Sequence, residues 1–158
     1  MDDGTHESTQ RRPRESTGPL GEPPGAEERA DAGERWHLDL EHHLSSVPLA
    51  RHWVVQRCTS VRVPIAVLTV VELLTAELTA NAVLHGRAPV RLDLQRTPGE
   101  VRVAVTDADS TPPVRRRVGP EATGGRGVAL VDLLSGAWGV EQHGDGKTVW
   151  FTVGLPGG

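Results

Sequence analysis

The sequence predicts an α+β domain, a two-layer α/β sandwich whose mixed, mostly antiparallel sheet is covered by helices on one face. Three observations predict it. Two pairs of alternating segments flank the turn tripeptides Thr97-Pro98-Gly99 and Gly144-Asp145-Gly146, as antiparallel hairpins do. Alternation with period two leaves each strand one wet side, so the sheet has a solvent face and a core face. A long apolar segment from Pro64 to His85 supplies a helix to cover the core face.

Taken in order, Trp36 to Leu40 alternates and reads as a first strand, and Pro48 to Cys58 has helical character with proline near its start. Pro64 to His85 is expected as one long helix, with proline at its first position and Gly86 placed to stop it. Val90 to Arg96 and Glu100 to Thr106 form the first hairpin; Gly139 to His143 and Thr148 to Val153 form the second. Between the hairpins, Val128 to Leu134 is apolar with helical spacing, and glycines precede it.

The first 35 residues differ in kind. They are rich in Gly, Pro, Ser, Thr, Glu and Arg and nearly lack large apolar side chains, so burial cannot offset their chain entropy. We read residues 1–35 as a disordered tail and 36–155 as one domain. Nine acidic residues and five arginines give the tail a net charge of −4, equal to that of the whole chain, which leaves the domain near neutral. Apart from Arg115, Arg116 and Arg117 the domain's arginines are scattered, so no basic face for nucleic acid is expected. No secretory pattern opens the tail, and the longest apolar run, Pro64 to Val71, is too short to span a bilayer. With a single cysteine, Cys58, ruling out an internal disulfide, a cytoplasmic protein is expected. His42 and His43 are adjacent, point apart, and read as surface residues.

Within the long helix, Glu77, Asn81 and His85 recur at four-residue steps and form one stripe. A carboxylate, a carboxamide and an imidazole amid apolar neighbours either satisfy a buried network or line a site. After the first hairpin comes the acidic loop Asp107-Ala108-Asp109-Ser110, then the glycine loop Gly124-Gly125-Arg126-Gly127, then the glycine hairpin leading to Lys147 and Thr148. Glycines at a helix start let backbone amides approach an anion, with the helix dipole in support. Gly146-Lys147-Thr148 is not a phosphate-binding P-loop, because Glu141 stands at the first glycine of that motif and a strand follows where a helix is required. Lys147, the only lysine, is either a phosphate contact or a solvated turn residue.

In this order and spacing the chain resembles the ATP-binding domain shared by gyrase, Hsp90 chaperones, histidine kinases and MutL proteins, over about residues 36 to 155. Within that superfamily it looks most like the small stand-alone anti-sigma-factor serine kinases. The resemblance implies the Bergerat-type fold, ATP and Mg²⁺ as cofactors, and phosphorylation of a serine or threonine on a small antagonist protein. It also implies a sigma factor as second partner, often with homodimerisation. By the same resemblance Glu77 is the general base, Asn81 the Mg²⁺ ligand, and Asp107 the acceptor of adenine's amine. Gly124, Gly125, Arg126 and Gly127 cradle the phosphates, Arg126 stabilising the γ-phosphate; Ser110 to Thr123 forms the lid, and Thr148 is a further nucleotide contact. Asp109 departs from the glycine many relatives carry there. His85 is expected to meet free carbonyls at the helix end or to touch the ligand. Two alternatives stand beside the kinase: a non-catalytic module that sequesters a partner under ATP control, and a detached histidine-kinase catalytic domain.

Overall fold

A computed structural model describes residues 33–110 and 126–157. The expected tail therefore lies outside the described residues except for Gly33, Glu34 and Arg35, as do the expected lid beyond Ser110 and both Gly124 and Gly125. The elements run β1 (Glu34–Leu40), α1 (Ser46–Ser60), α2 (Ile65–His85), β2 (Val90–Arg96), β3 (Glu100–Asp107), α3 (Arg126–Leu134), β4 (Ala137–His143) and β5 (Gly146–Gly154). The five strands form one sheet in the order β1-β2-β3-β5-β4, and every neighbouring pair is antiparallel. The expected α+β sandwich is thus found, with a wholly antiparallel sheet.

Register decides which side chains share a face. Leu38 pairs with Leu92, Leu92 with Val105 and Val105 with Val149, so one row of apolar side chains crosses four strands. Trp36, Leu94, Val103 and Phe151 make the next row. Phe151, Val103, Leu92 and Leu94 are almost fully buried, each contributing about 1.5–3 kcal/mol relative to exposure. Against this face lies α2, which touches β2, β3 and β5, with α1 packed beside it. Val67, Val71, Leu74, Leu78 and Ala82 recur at three- and four-residue steps and are its buried stripe. By length and composition alone α2 could cross a membrane, but half of its apolar window is buried inside this fold.

Chain ends of the helices differ slightly from the sequence expectation. Pro64 is the N-cap of α2, so the helix begins at Ile65, one residue later than expected, and the Pro64 carbonyl accepts from the Leu68 amide at 2.9 Å. Pro48 falls in the first turn of α1, where an amide has no helical partner to lose. At the other end of α1, Arg62 adopts a left-handed φ of 58° while the Val63 amide returns to the Cys58 carbonyl, turning the chain directly into α2.

Candidate nucleotide site

Val101, Val103, Val105 and Asp107 alternate in phase, so the carboxylate that ends β3 points to the helix-covered side of the sheet. Its residue is 3% exposed. A buried carboxylate must be paired, and both oxygens are: the Asp109 amide donates to Oδ1 at 2.8 Å, while the Lys147 ammonium lies 3.3 Å from Oδ1 and 3.2 Å from Oδ2. Two glycines make room for this arrangement. A Cβ on Gly146 would lie 2.1 Å from the Asp107 carbonyl oxygen, and one on Gly86 would lie 2.5 Å from the Asp107 carboxyl carbon. The Ala108 amide also donates to the Arg87 carbonyl at 2.9 Å, fastening the end of β3 to the end of α2.

Going back along α2 from that junction, Asn81 lies five residues before Gly86 and Glu77 a further four. These steps are about 7.5 and 6 Å along the helix axis. Both side chains are half-buried, and neither has a hydrogen-bond or ion-pair partner among the described residues. Glu72, by contrast, is about 140° from Glu77 around the helix and is tied to Arg51 of α1 at 3.0 Å. The Glu77 and Asn81 flank is therefore turned away from α1. α3 packs against α2 and β4, beginning at Arg126 after the glycine loop. Backbone position is described for Arg126 and Gly127; their side-chain surroundings, like Gly124 and Gly125 altogether, lie outside the described residues.

Three residues are placed otherwise than the sequence suggests. Thr148 alternates out of phase with Val149, Phe151 and Val153, so its hydroxyl is on the solvent face, bonded to Thr106 at 2.7 Å and His143 at 3.0 Å. There it lines an open cavity of about 480 Å³ with Arg102 and Glu141, on the opposite side of the sheet from Asp107. Lys147 is neither solvated nor free for phosphate, because its in-phase position carries it to Asp107, with only 12% of the side chain exposed. His85 is exposed and meets no helix-end carbonyl among the described residues; the imidazole that meets a carbonyl beyond the helix is His42, whose Nε2 is 3.0 Å from the Gly86 oxygen. Continuing the strand alternation two residues back from Val149 was the signal that could have found Lys147.

Cofactor fit can be judged from donor chemistry. Asn81 offers a carboxamide oxygen and Glu77 a carboxylate oxygen, both uncommitted among the described residues and one helical turn apart. Hard oxygen donors in small number suit Mg²⁺, which keeps water and phosphate oxygens as its other ligands.

Among solved structures, the chain is similar to the RsbU and RsbW domains of Rv1364c from Mycobacterium tuberculosis, with 17% identity and a TM-score of 0.61 over 77% of this chain. It is also similar to the blue-light activated histidine kinase EL346 of Erythrobacter litoralis, at 28% identity and a TM-score of 0.47 over 59% of this chain. In each case it spans 32% of the other chain's length. No curated protein matches it. The sequence profile of the histidine kinase-like ATPase domain matches residues 40–153, from the end of β1 almost to the end of β5. On that match, which takes in α2, Asp107 and the start of α3, the chain belongs to the histidine kinase-like ATPase domain family.

Proposed function

We propose that this protein binds ATP with Mg²⁺ along α2 and transfers the γ-phosphate to a serine or threonine of a small antagonist protein, as a cytoplasmic regulator that also binds a sigma factor. One observation carries the reading. Asp107, Asn81 and Glu77 follow one another from the C-terminal end of α2 inward, an order that supports assigning them in turn to the base, the bridging phosphates and the terminal phosphate. Asp107 accepts from the base, Asn81 holds Mg²⁺, and the amides at the start of α3, with Gly124, Gly125, Arg126 and Gly127, receive the phosphates. Bound Mg²⁺ supplies neutralisation of phosphate charge. Glu77, with no partner of its own among the described residues, takes the proton from the attacking hydroxyl as the new oxygen–phosphorus bond forms and the bond to ADP breaks.

Calorimetric titration of ATP with and without Mg²⁺ tests the site. Wild type is expected to bind with Mg²⁺ dependence, and Asn81→Ala to lose that dependence with affinity lowered at least about tenfold. Glu77→Ala is expected to keep ATP affinity within about threefold while abolishing ATP consumption in the presence of the antagonist. Wild type that binds no ATP in either condition refutes the reading.

A further inference from the structure

β1 is an edge of the sheet, hydrogen-bonded to β2 on one side, and among the described residues nothing pairs with its other side. An open edge is a row of N–H and C=O groups ready for another strand, which proteins commonly blunt with proline, a bulge or repelling charge. β1 has no proline from Glu34 to Leu40 and runs against β2 without a bulge. The edge also overhangs its cover. Leu92 and Leu94 on β2 are 0% and 1% exposed, whereas Leu38 and Trp36, their neighbours in the same rows, are only half-buried. Along this border lies α1, which packs on α2 and β2. Its ion pair to Glu72 puts Arg51 on the side of α1 that faces α2. Leu49 and Trp53, two residues before and after Arg51, are about 160–200° around the helix from it, on the side of the open edge.

The strand is complementary to itself. Laid antiparallel at full overlap about its midpoint, His37, one copy sets Arg35 opposite Asp39 of the other and Trp36 opposite Leu38, each twice because the arrangement is twofold symmetric. Arg35 and Asp39 are exposed on the solvent face, while Trp36 and Leu38 are on the helix-covered face, so both faces match at once. His37 meets its own copy, with Asp93 beside it on β2; Glu34 meets Leu40 and keeps Arg96 at 3.7 Å. Slipping the register shortens the overlap and parts both ion pairs. We propose that β1 pairs with β1 of a second copy of this chain in this register, joining the two five-stranded sheets into one. The apolar rows then continue without a break, Leu94 and Trp36 of one copy running on into Leu38 and Leu92 of the other. A twofold axis normal to the sheet puts the helices of both copies on the same side, with Leu49 and Trp53 of each turned toward the other copy. β4, the opposite edge, lacks this property. At full overlap about Val140 it would set Glu141 against Gly139 and Trp138 against Gln142, with no charge matched, and α3 already packs against it. The Glu77 and Asn81 flank of α2 is turned away from α1 and stays open, so the pairing stands independently of the nucleotide reading.

The test is sedimentation velocity on the full chain, for wild type, Arg35→Asp, Asp39→Arg and the double variant that exchanges the two charges. Wild type is expected to be dimeric at about 20 μM. Either single reversal sets two like-charge pairs across the twofold axis and is expected to weaken association at least about tenfold. The exchange restores both attractions in the opposite sense and is expected to bring association back to within about threefold of wild type. Arg91 neighbours position 39 in monomer and dimer alike, so it cancels from the comparison. Wild type that stays monomeric at about 200 μM, a dimer that neither reversal weakens, or reversals that the exchange does not rescue overturns the pairing. Should a reversal not fold, His37→Cys decides. Cα atoms directly opposite across an antiparallel pair are about 4.5–5.5 Å apart, within disulfide reach. Mild oxidation is expected to link His37→Cys into a covalent dimer while leaving Gln142→Cys, on the other edge, monomeric; equal linking of both, or of neither, overturns the pairing.

Discussion

Cutting the Asp107–Lys147 pair will destabilise the fold several times more than cutting Arg51–Glu72, although the two pairs have nearly equal separations of 3.2 and 3.0 Å. The difference is burial. In the first pair the side chains are 12% and 2% exposed, in the second 52% and 34%. At 3.2 Å and an effective dielectric near 20, the gross attraction is about 5 kcal/mol, most of it offset by desolvation in the intact protein. What a single substitution reads is the charge left behind. Lys147→Met strands Asp107 with one amide donor, from Asp109, and should cost about 3–5 kcal/mol. Asp107→Asn keeps an acceptor for that amide and should cost about 3 kcal/mol. Glu72→Gln should cost about 0.2–1 kcal/mol, and less in high salt. Urea unfolding followed by fluorescence of Trp36, Trp53, Trp138 and Trp150 measures all three. The double variant should be more stable than the sum of its parts by at least about 1.5 kcal/mol. Additive costs in that cycle, or equal costs for Lys147→Met and Glu72→Gln, would refute the argument from burial.

Two other outcomes follow from the same faces and burials. Burial pushes the Cys58 thiol from 9.0 up to about 11. The unfolded chain then releases this proton above pH 9.0 while the folded chain keeps it, so the folded state binds more protons and stability falls between pH 9.0 and about 11. Unfolding midpoints at pH 8 and 10.5 should show a drop in wild type that exceeds the drop in Cys58→Ala; equal drops would disprove it. Thr148→Val should leave ATP affinity within about twofold, because its hydroxyl is on the sheet face away from Asp107, and should cost about 1 kcal/mol through the lost partners Thr106 and His143. A tenfold loss of ATP affinity in this variant would return Thr148 to the site.

Local patterning was legible wherever neighbouring residues decide the outcome. Val90 to Arg96 was found as expected, and the turn after it closes with the Thr97 amide on the Glu100 carbonyl at 2.9 Å. α2 ends at His85 before Gly86, although that glycine is also needed for its contact with Asp107, which lies 21 residues further along the chain. The stripe of Glu77 and Asn81 follows from 3.6 residues per turn and needed no tertiary information. The α1 helix extends two residues beyond expectation at each end, because frayed turns carry weak sequence signals.

By itself, then, the chain's order of residues determined the element types, the α+β class, and the spacing of the carboxylate and carboxamide along α2. Tertiary structure decided what those groups meet. Pairing β3 with β5 joins residues some forty positions apart, and only that register sets Lys147 opposite Asp107 while turning Thr148 to the solvent face. Such pairing depends on which apolar faces pack together across the whole sheet, a property of the folded core and not of any local segment. Glu77 and Asn81 are uncommitted for the same reason: α1 packs along the side of α2 that bears Glu72 and leaves their flank without a partner among the described residues.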